Sequence, residues 1–234
     1  MDPAQALVEA VRGVRPEEAP GRLCAVAVEL LPVAGASVSL RSAGLPVLVG
    51  ASDDTAAGLA EMEATLGEGP CACAAETTAA VLAGDLAAGP DRWRWPVYAQ
   101  QATGAGVRAA YSLPLGDSAV CVGTFDLYGT DPGELTGPDL HTARLLAGAL
   151  TTALTSLPRG EEETGRPDGR WLGGLTAGHS EIQQAVGMVM AQLGTDADEA
   201  LARLRGHAFA HGRTVLEAAH DVVARRKRFH GERG

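Results

Sequence analysis

The chain has 234 residues, of which 46% are hydrophobic, and a formal net charge of −10. This length accommodates one mid-sized and one small domain, and the hydrophobic content excludes an intrinsically disordered chain. The acidic balance excludes a protein that coats duplex DNA through a globally basic surface. Because no apolar run reaches the length of a membrane span and the first residues lack a signal-peptide core, we expect a cytoplasmic protein with no membrane partner.

Residues 1–157 alternate helix and strand signals and are predicted to form the first domain. Two neighbouring strands are joined by Gly116, Asp117 and Ser118, which predicts a hairpin and therefore an at least partly antiparallel sheet. The pattern indicates an α+β fold and not a doubly wound parallel sheet. Helices are predicted at 3–13, 22–33, 57–66, around Trp93, Trp95 and Tyr98, and at 138–157, and strands at 36–41, 46–51, 81–86, 107–115 and 119–127.

The last helix of this domain carries leucines and alanines at helical spacing from Leu140 to Leu157. Such a stripe serves either the domain's own core or a contact with a second copy of the chain. We favour the second interpretation and expect a homodimer through residues 139–157. The next residues, 158–170, are rich in Gly, Pro and Glu, a composition typical of an exposed linker. The two domains are therefore expected to be hinged.

Residues 171–234 are predicted to form a three-helix bundle. Ser180, Asp196 and Thr214 each precede an apolar periodic segment and are followed three residues later by Gln or Glu, the spacing of a capping box. Gly194 and Gly212 stand at the joins, where a helix commonly ends in a left-handed residue. Because so small a bundle is near the lower size limit for stability, we expect it to lean on the first domain or on a second copy.

Charge is divided unequally between the two parts. From residue 171 on, 8 basic residues stand against 7 acidic ones, whereas the rest of the chain has 11 basic and 22 acidic residues. The acidic part would repel a polyanion, so any nucleic-acid surface belongs to the second domain. Arginine there can fork onto phosphate or stack on an unpaired base, although a solvated charged face is the alternative. The candidate residues surround the end of the second helix of the bundle: Arg203, Arg205, His207, His211, Arg213 and Thr214.

His207 and His211 lie four residues apart on one side of a helix, which raises the question of a metal site. Zinc would require further ligands, and no cysteine occurs in the second domain. The glutamate of a metalloprotease motif is also absent, since Ala208 occupies its place. We therefore expect no metal here, and surface histidines that stack on bases.

The run SEIQQAVGMVMAQLGTDADEALARLRGHAFAHGRTVLEAAHDVVARRKRF resembles an ANTAR domain, the RNA-binding module of bacterial transcription antiterminators, in its actinobacterial form. The resemblance covers almost the whole region from Trp171 onward. It implies an all-α bundle that binds RNA, with paired stem-loops in a nascent transcript as the partner, and it favours RNA contact for Arg205 and Arg213. Two positions depart from many relatives, because Val186 replaces a lysine and Gly212 replaces an asparagine, so contacts at those positions are not carried over.

The first domain is similar to GAF domains over about residues 22–157. The motifs that carry the similarity are LGEGPCACAAE, VLAGDLAA, RWPVYAQQA, GVRAAYSLPL and VGTFDLYG, in that order. The resemblance implies a sensor with a small molecule between sheet and helices, although no cofactor is identified. Trp93, Trp95, Tyr111 and Phe125 are the candidates to line that pocket, and the alternative is that they are core residues. The four cysteines are expected to be reduced thiols.

Motifs of common enzymes are absent from the sequence: it has no Walker-type phosphate loop and no Gly-x-Ser-x-Gly nucleophile elbow. We therefore expect no enzyme but a signal-responsive regulator of transcription antitermination, with a GAF-like sensor at 1–157, a linker at 158–170 and an ANTAR domain at 171–234. Two alternatives stay open. The chain would be a ligand-binding module whose helical tail docks a protein, or a DNA-binding regulator.

Overall fold

This computed structural model describes residues 5–6, 9, 12–15, 18–42, 45–117, 120–155 and 170–230, with the backbone alone for 42, 155 and 170–179. Of the first predicted helix, 3–13, residues 5, 6 and 9 are helical, and residues 12 and 13 form a turn. Most of the predicted linker lies outside the described residues. No helix in the described ranges is long and apolar enough to cross a bilayer.

From residue 18 on, the first domain contains five strands and six helices within the described residues. The strands are β1 (Gly35–Ser42), β2 (Leu45–Ala51), β3 (Val81–Ala83), β4 (Ala109–Gly116) and β5 (Cys121–Gly129). The helices are α1 (Ala19–Leu30), α2 (Asp54–Leu66), α3 (Pro70–Thr77), α4 (Asp91–Arg94), α5 (Pro96–Gly104) and α6 (Gly137–Thr155). The bundle consists of α7 (Arg170–Leu193), α8 (Ala197–Ala210) and α9 (Val215–Val223).

The five strands form one sheet in the order β2-β1-β5-β4-β3, and every neighbouring pair is antiparallel. The predicted α+β class with an antiparallel sheet is therefore confirmed. The predicted hairpin is the pair of β4 and β5, in which Leu113 lies opposite Phe125.

Each face of the sheet packs against its own helices. Helices α1 and α6 cover one face, where the core includes Leu23, Val38, Leu113, Phe125 and Leu146. Helices α2, α3 and α5 cover the other face, where a second core includes Leu59, Ala74, Tyr98 and Tyr128. Because side chains alternate between the two faces along a strand, the polar residues of β1 and β5 are directed to the side of α2 and α3.

The apolar stripe of α6 packs in the domain's own core. Ala143, Leu146, Ala147, Leu150 and Leu154 are buried against the sheet and α1. The residues that predicted a dimer contact are thus already covered by their own chain. Leu145 is the large apolar residue of this helix that remains exposed, with 41% of its surface accessible.

Two of the three predicted helix starts in the bundle are confirmed. The side chain of Asp196 accepts a hydrogen bond from the amide of Glu199, and Thr214 forms a complete capping box with Glu217. The predicted start at Ser180 is wrong, because α7 begins ten residues earlier, at Arg170, and Ser180 lies within the helix. Gly194 and Gly212 adopt the expected left-handed conformation, with φ of 68° and 62°.

The bundle packs directly on the first domain. Leu45 of β2, only 1% exposed, belongs to the same apolar cluster as Ile182, Leu204 and Val222 of the bundle. The backbone amide of Val215 donates a hydrogen bond to Oγ1 of Thr65 at 3.0 Å. The bundle therefore obtains part of its core and one helix cap from the preceding domain, in agreement with the expectation from its small size.

Candidate nucleic-acid interface

The predicted contact residues surround the end of α8, but they do not form one continuous free surface. Arg203 is exposed and pairs with Glu199 one turn earlier, at 3.3 Å. Thr214 is occupied as the cap of α9, since its hydroxyl accepts from the amide of Glu217 at 3.2 Å. Arg213, the pair of histidines and Arg205 lie in three different environments.

Arg213 is held by carboxylates of α9. Its guanidinium forms an ion pair with Asp221 and donates a hydrogen bond to the carbonyl of Glu217 at 3.1 Å. Asp221 also accepts from Nε of Arg226 at 2.8 Å. The hydrogen bonds from Arg213 and then Arg226 lower the pKa of Asp221 to about 2. Arg213 therefore ties the turn before α9 to the last part of that helix, which is a structural role even before any ligand is considered.

His207 and His211 form a compact group with two residues from beyond the end of α9. Their rings lie 4.1 Å apart, and the ring of Phe229 meets His207 edge-on at 5.5 Å. The ammonium group of Lys227 lies 5.2 Å from the centroid of the Phe229 ring. We call these four residues the stacking cluster. Burial, followed by the nearby Lys227, lowers the pKa of His207, so its ring is neutral near pH 7.

Lys227 and Phe229 are not among the residues predicted from the sequence to contact RNA. The chain turns back after α9, where the amides of Arg226 and Lys227 both donate to the carbonyl of Asp221, at 2.8 and 3.0 Å. The amide of Phe229 then donates to Gln192 at 2.7 Å. The basic run 225–228 was the available signal, but a run of cations after a helix is also favoured by the helix dipole alone.

Arg205 points away from the stacking cluster and into the boundary with the first domain. Its Nε donates to the carbonyl of Ala64 at 3.0 Å, and its guanidinium lies against Gly67. A Cβ atom at Gly67 would come within 2.5 Å of this guanidinium, and the positive φ of 71° also favours glycine there. Burial lowers the pKa of Arg205. Among the described residues, no carboxylate forms an ion pair with it.

No group of three or more metal-ligating side chains occurs in the described part of the chain. Nδ1 of His211 is hydrogen-bonded to the carbonyl of His207 at 2.8 Å, so this ring is held against the backbone of its own helix.

The four aromatic candidates for a ligand pocket lie in different environments. Trp93 is 74% exposed, and Trp95 is buried in the core beside α5. Phe125 packs on the sheet face covered by α1 and α6, together with Tyr111. The hydroxyl of Tyr111 donates to the carbonyl of Gly133 at 2.9 Å. None of the four lines the cavity described next.

A cavity of about 90 Å³ lies at the boundary between the first domain and the bundle. This volume accommodates several water molecules, because one water molecule requires ~10–15 Å³ of cavity volume. Its walls come from β1, β2, β5, α2, α3 and α8, and they include Ser39, Arg41, Glu63, Cys71, Thr124 and Arg205. The sequence predicted a pocket of aromatic residues, whereas the walls of this cavity combine polar and aliphatic residues without an aromatic ring among the described residues.

Two glutamates, of which Glu63 lines this cavity, cap the starts of neighbouring helices. The carboxylate of Glu63 accepts from the amide of Cys71 at 2.8 Å, and Glu68 accepts from the amides of Val97 and Tyr98 at 3.0 Å each. Both replace a missing N-cap side chain, because α3 and α5 begin after Gly69 and Trp95, which supply no side-chain cap. Burial and then the nearby Asp126 raise the pKa of Glu63 well above its usual range.

Comparison with known proteins agrees with this geometry. The profile of the GAF domain family matches residues 15–155, and that of the ANTAR domain family matches residues 176–223. No curated protein matches the chain. Among solved structures, the chain is similar to the GAF domain of a phosphoenolpyruvate-protein phosphotransferase from Coxiella burnetii, with 16% identity over 65% of this chain and 90% of the other, and a TM-score of 0.51.

The corresponding GAF domain from Acinetobacter gives a similar result. It is 11% identical over 66% of this chain and 91% of that domain, with a TM-score of 0.51. At these identities the two structures establish the fold of the first domain alone.

Proposed function

Since the chain belongs to the GAF domain family and carries an ANTAR domain behind its GAF domain, we propose that it is a signal-responsive antitermination regulator that binds paired stem-loop RNA. An ANTAR domain implies an RNA-binding antitermination regulator, and a GAF domain implies a sensor. In this proposal the sensor controls whether the bundle engages a nascent transcript in the cytoplasm. The protein acts through binding and not through catalysis.

The stacking cluster is the observation that carries the RNA proposal. It joins aromatic rings and a cation within 4.1–5.5 Å of each other. Unpaired loop bases stack on such rings, and the phosphates between them attract the cation. Arg203, on the same helix as His207, and Arg225 and Arg228, which form no ion pair within the described residues, supply further positive charge.

A dimer would present two bundles to two stem-loops, and the second binding event would then be intramolecular. Because the apolar stripe of α6 is used in the core, the dimer contact would use the outer face of this helix, around Leu145. Sedimentation of the full chain and of Leu145→Glu tests this part. The proposal requires a dimer for the wild type and a monomer for the variant. A monomeric wild type would contradict the presentation of two bundles to two stem-loops.

A gel shift tests the RNA proposal. The full chain is offered paired stem-loop RNA, each hairpin singly, and duplex DNA of equal length at one stated salt concentration. Preference for the paired RNA supports antitermination, and equal or stronger binding to the duplex supports the DNA-binding alternative.

A second candidate is a ligand-binding module whose bundle docks a protein. It is favoured by two large apolar side chains on the bundle surface, Phe209 and Leu216, which are 47% and 41% exposed. Failure of every nucleic acid in the gel shift would favour this candidate.

A further inference from the structure

The cavity at the domain boundary has features that the RNA proposal does not use. The strand β1 alternates: Ala36 and Val38 pack in the core beside α1, so Ser39 and Arg41 belong to the opposite face, where the cavity lies. On β5, Thr124 pairs with Ser39 across the ladder and lines the same cavity. The sheet thus contributes polar side chains to the cavity.

Ser39 is the first indication of a bound molecule. Its side chain is 1% exposed, and its hydroxyl has no hydrogen-bond partner within the described structure. A buried hydroxyl without a partner costs free energy, and natural proteins rarely leave one unsatisfied. A ligand atom in the cavity would supply the missing partner.

Arg205 is the second indication. Within the described part of the chain, its Nε alone has a hydrogen-bond acceptor, the carbonyl of Ala64, and Arg205 lines the cavity. Arg41 lines the same cavity and has no ion pair among the described residues either. A partly buried guanidinium is normally matched by an anion, because leaving the charge unpaired is unfavourable.

The remaining charges define the class of anion. Glu63 lines the cavity, but its carboxylate is engaged by the start of α3, and its raised pKa reduces its negative charge. Glu76 stands at the exposed rim. With acidic groups on the wall, a phosphate of nearly two charges would be repelled more strongly than a carboxylate of one charge. The small volume also excludes a nucleotide.

We propose that this boundary cavity binds a small monocarboxylate, whose carboxylate meets Arg205 of the ANTAR domain and whose other polar group meets Ser39 of the GAF domain. The inference rests on the proposed function in one respect: a carboxylate on Arg205 holds the bundle docked and keeps this arginine from RNA phosphates. The ligand therefore lowers the affinity for RNA. By thermodynamic linkage, RNA lowers the affinity for the carboxylate by the same factor.

Calorimetry with the full chain tests the site directly. The probes are acetate, propionate, lactate, glycine and alanine, with propionamide as the uncharged control and inorganic phosphate as the dianion control. We expect at least one carboxylate to bind, propionamide and phosphate to bind more weakly, and Arg205→Gln to reduce the affinity by about tenfold or more. Arg203→Gln, two residues away on an exposed position, is the matched control and should keep the wild-type affinity.

Ser39→Ala gives a second readout that does not depend on the domain contact. It should raise the melting temperature of the ligand-free protein, because an unsatisfied hydroxyl is removed, and it should weaken carboxylate binding. Binding to none of the carboxylates, equal binding to wild type and Arg205→Gln, or binding of phosphate above all carboxylates overturns the proposal.

The gel shift with and without the bound carboxylate separates this inference from the RNA proposal. If wild type binds paired RNA and the carboxylate leaves that affinity unchanged, the regulatory inference fails while the RNA function stands. If wild type binds no RNA under either condition, the RNA function fails, and calorimetry still decides whether the cavity is a carboxylate site.

Discussion

Thr65 of α2 accepts a hydrogen bond from the backbone amide of Val215, 150 residues later in the chain, at 3.0 Å. Both residues are buried. The first four amides of a helix have no partner within that helix, so this hydroxyl satisfies a donor that would otherwise be orphaned at the start of α9. The sensor domain thus caps a helix of the RNA-binding domain.

Replacing Thr65 should therefore destabilise the bundle. Thr65→Val keeps the shape of the side chain but leaves the amide of Val215 without an acceptor, at a cost of about 1–3 kcal/mol. We expect a lower free energy of unfolding in urea and faster hydrogen exchange at Val215. The matched control is Thr77→Val, because Thr77 also donates to the carbonyl four residues back but lies outside the domain contact. Equal losses in both variants would contradict the capping role.

The ion pair of Arg213 and Asp221 predicts a structural penalty when Arg213 is removed. Asp221 also pairs with Arg226, and these hydrogen bonds lower its pKa to about 2. Its contribution is full above its ordinary pKa of about 3.9 and is lost as the pH falls toward about 2. We expect Arg213→Ala to lower the thermal midpoint at pH 7 and Arg203→Ala to leave it nearly unchanged, as followed by circular dichroism. An unchanged midpoint for Arg213→Ala would mean that the pair contributes nothing to stability.

Phe229 should contribute to RNA binding through stacking. Loss of one base-stacking ring typically costs about 1–3 kcal/mol, so Phe229→Ala should weaken binding of paired stem-loop RNA by about tenfold or more. Phe209→Ala removes an exposed phenylalanine that, among the described residues, forms no ring contact with the stacking cluster, and it is the matched control. The measurement is a filter-binding titration. If Phe209→Ala loses as much affinity as Phe229→Ala, the stacking cluster is not the RNA site.

RNA binding should strengthen as the pH falls. The pKa of His207 is lowered in the free protein, first by burial and then by Lys227, so the neutral ring predominates near pH 7. A bound phosphate favours the charged ring, and binding is then accompanied by proton uptake. We expect a higher affinity at about pH 5.5 than at about pH 7.5 and a flatter profile for His207→Gln. His141→Gln, on α6, should keep the wild-type slope, and an identical slope in His207→Gln would exclude His207 as the source.

The buried carboxyl of Asp126 should make the free energy of unfolding depend on pH. It accepts hydrogen bonds from Ser112 and Thr124, yet burial raises its pKa to about 6. A raised carboxyl pKa favours the protonated folded form, so this contribution is full below about pH 3.9 and is lost as the pH rises through about 6.

For the wild type, we expect the free energy of unfolding to fall between about pH 4 and pH 6, and Asp126→Asn should flatten this fall. Glu63 titrates in the same direction, which leaves part of the slope in the variant. Exposed Asp131→Asn should retain the full slope. A variant slope as steep as that of wild type would show that Asp126 is not the responsible group.

Features with a local cause could be predicted from the sequence. The capping box of Thr214 and Glu217 and the left-handed turns at Gly194 and Gly212 depend on neighbouring residues only, and the structure has all three. Ser180 has the same local pattern, but the segment before it is also helical, so the helix passes through it. Helix α3 was not predicted because it has only eight residues and its cap, Glu63, comes from another helix.

The cavity could not be predicted, because its residues come from six elements that meet only in the folded chain. In the sequence, Ser39 and Thr124 are simply the polar positions of alternating strands, which typically face solvent. Arg205 presents the same difficulty. Its spacing from Arg203 and Arg213 indicated a common basic surface, but the docked bundle directs Arg205 toward Ala64 instead.

Leu45 has a consequence for how these modules could be recombined. It lies on the edge strand of the sensor sheet, yet its side chain is part of the hydrophobic core of the bundle. A C-terminal fragment severed between the two domains would expose the patch that Leu45 covers and would tend to self-associate. A chimaera that transplants this bundle onto a different sensor would need an equivalent leucine on the recipient's outermost strand, in addition to a suitable tether.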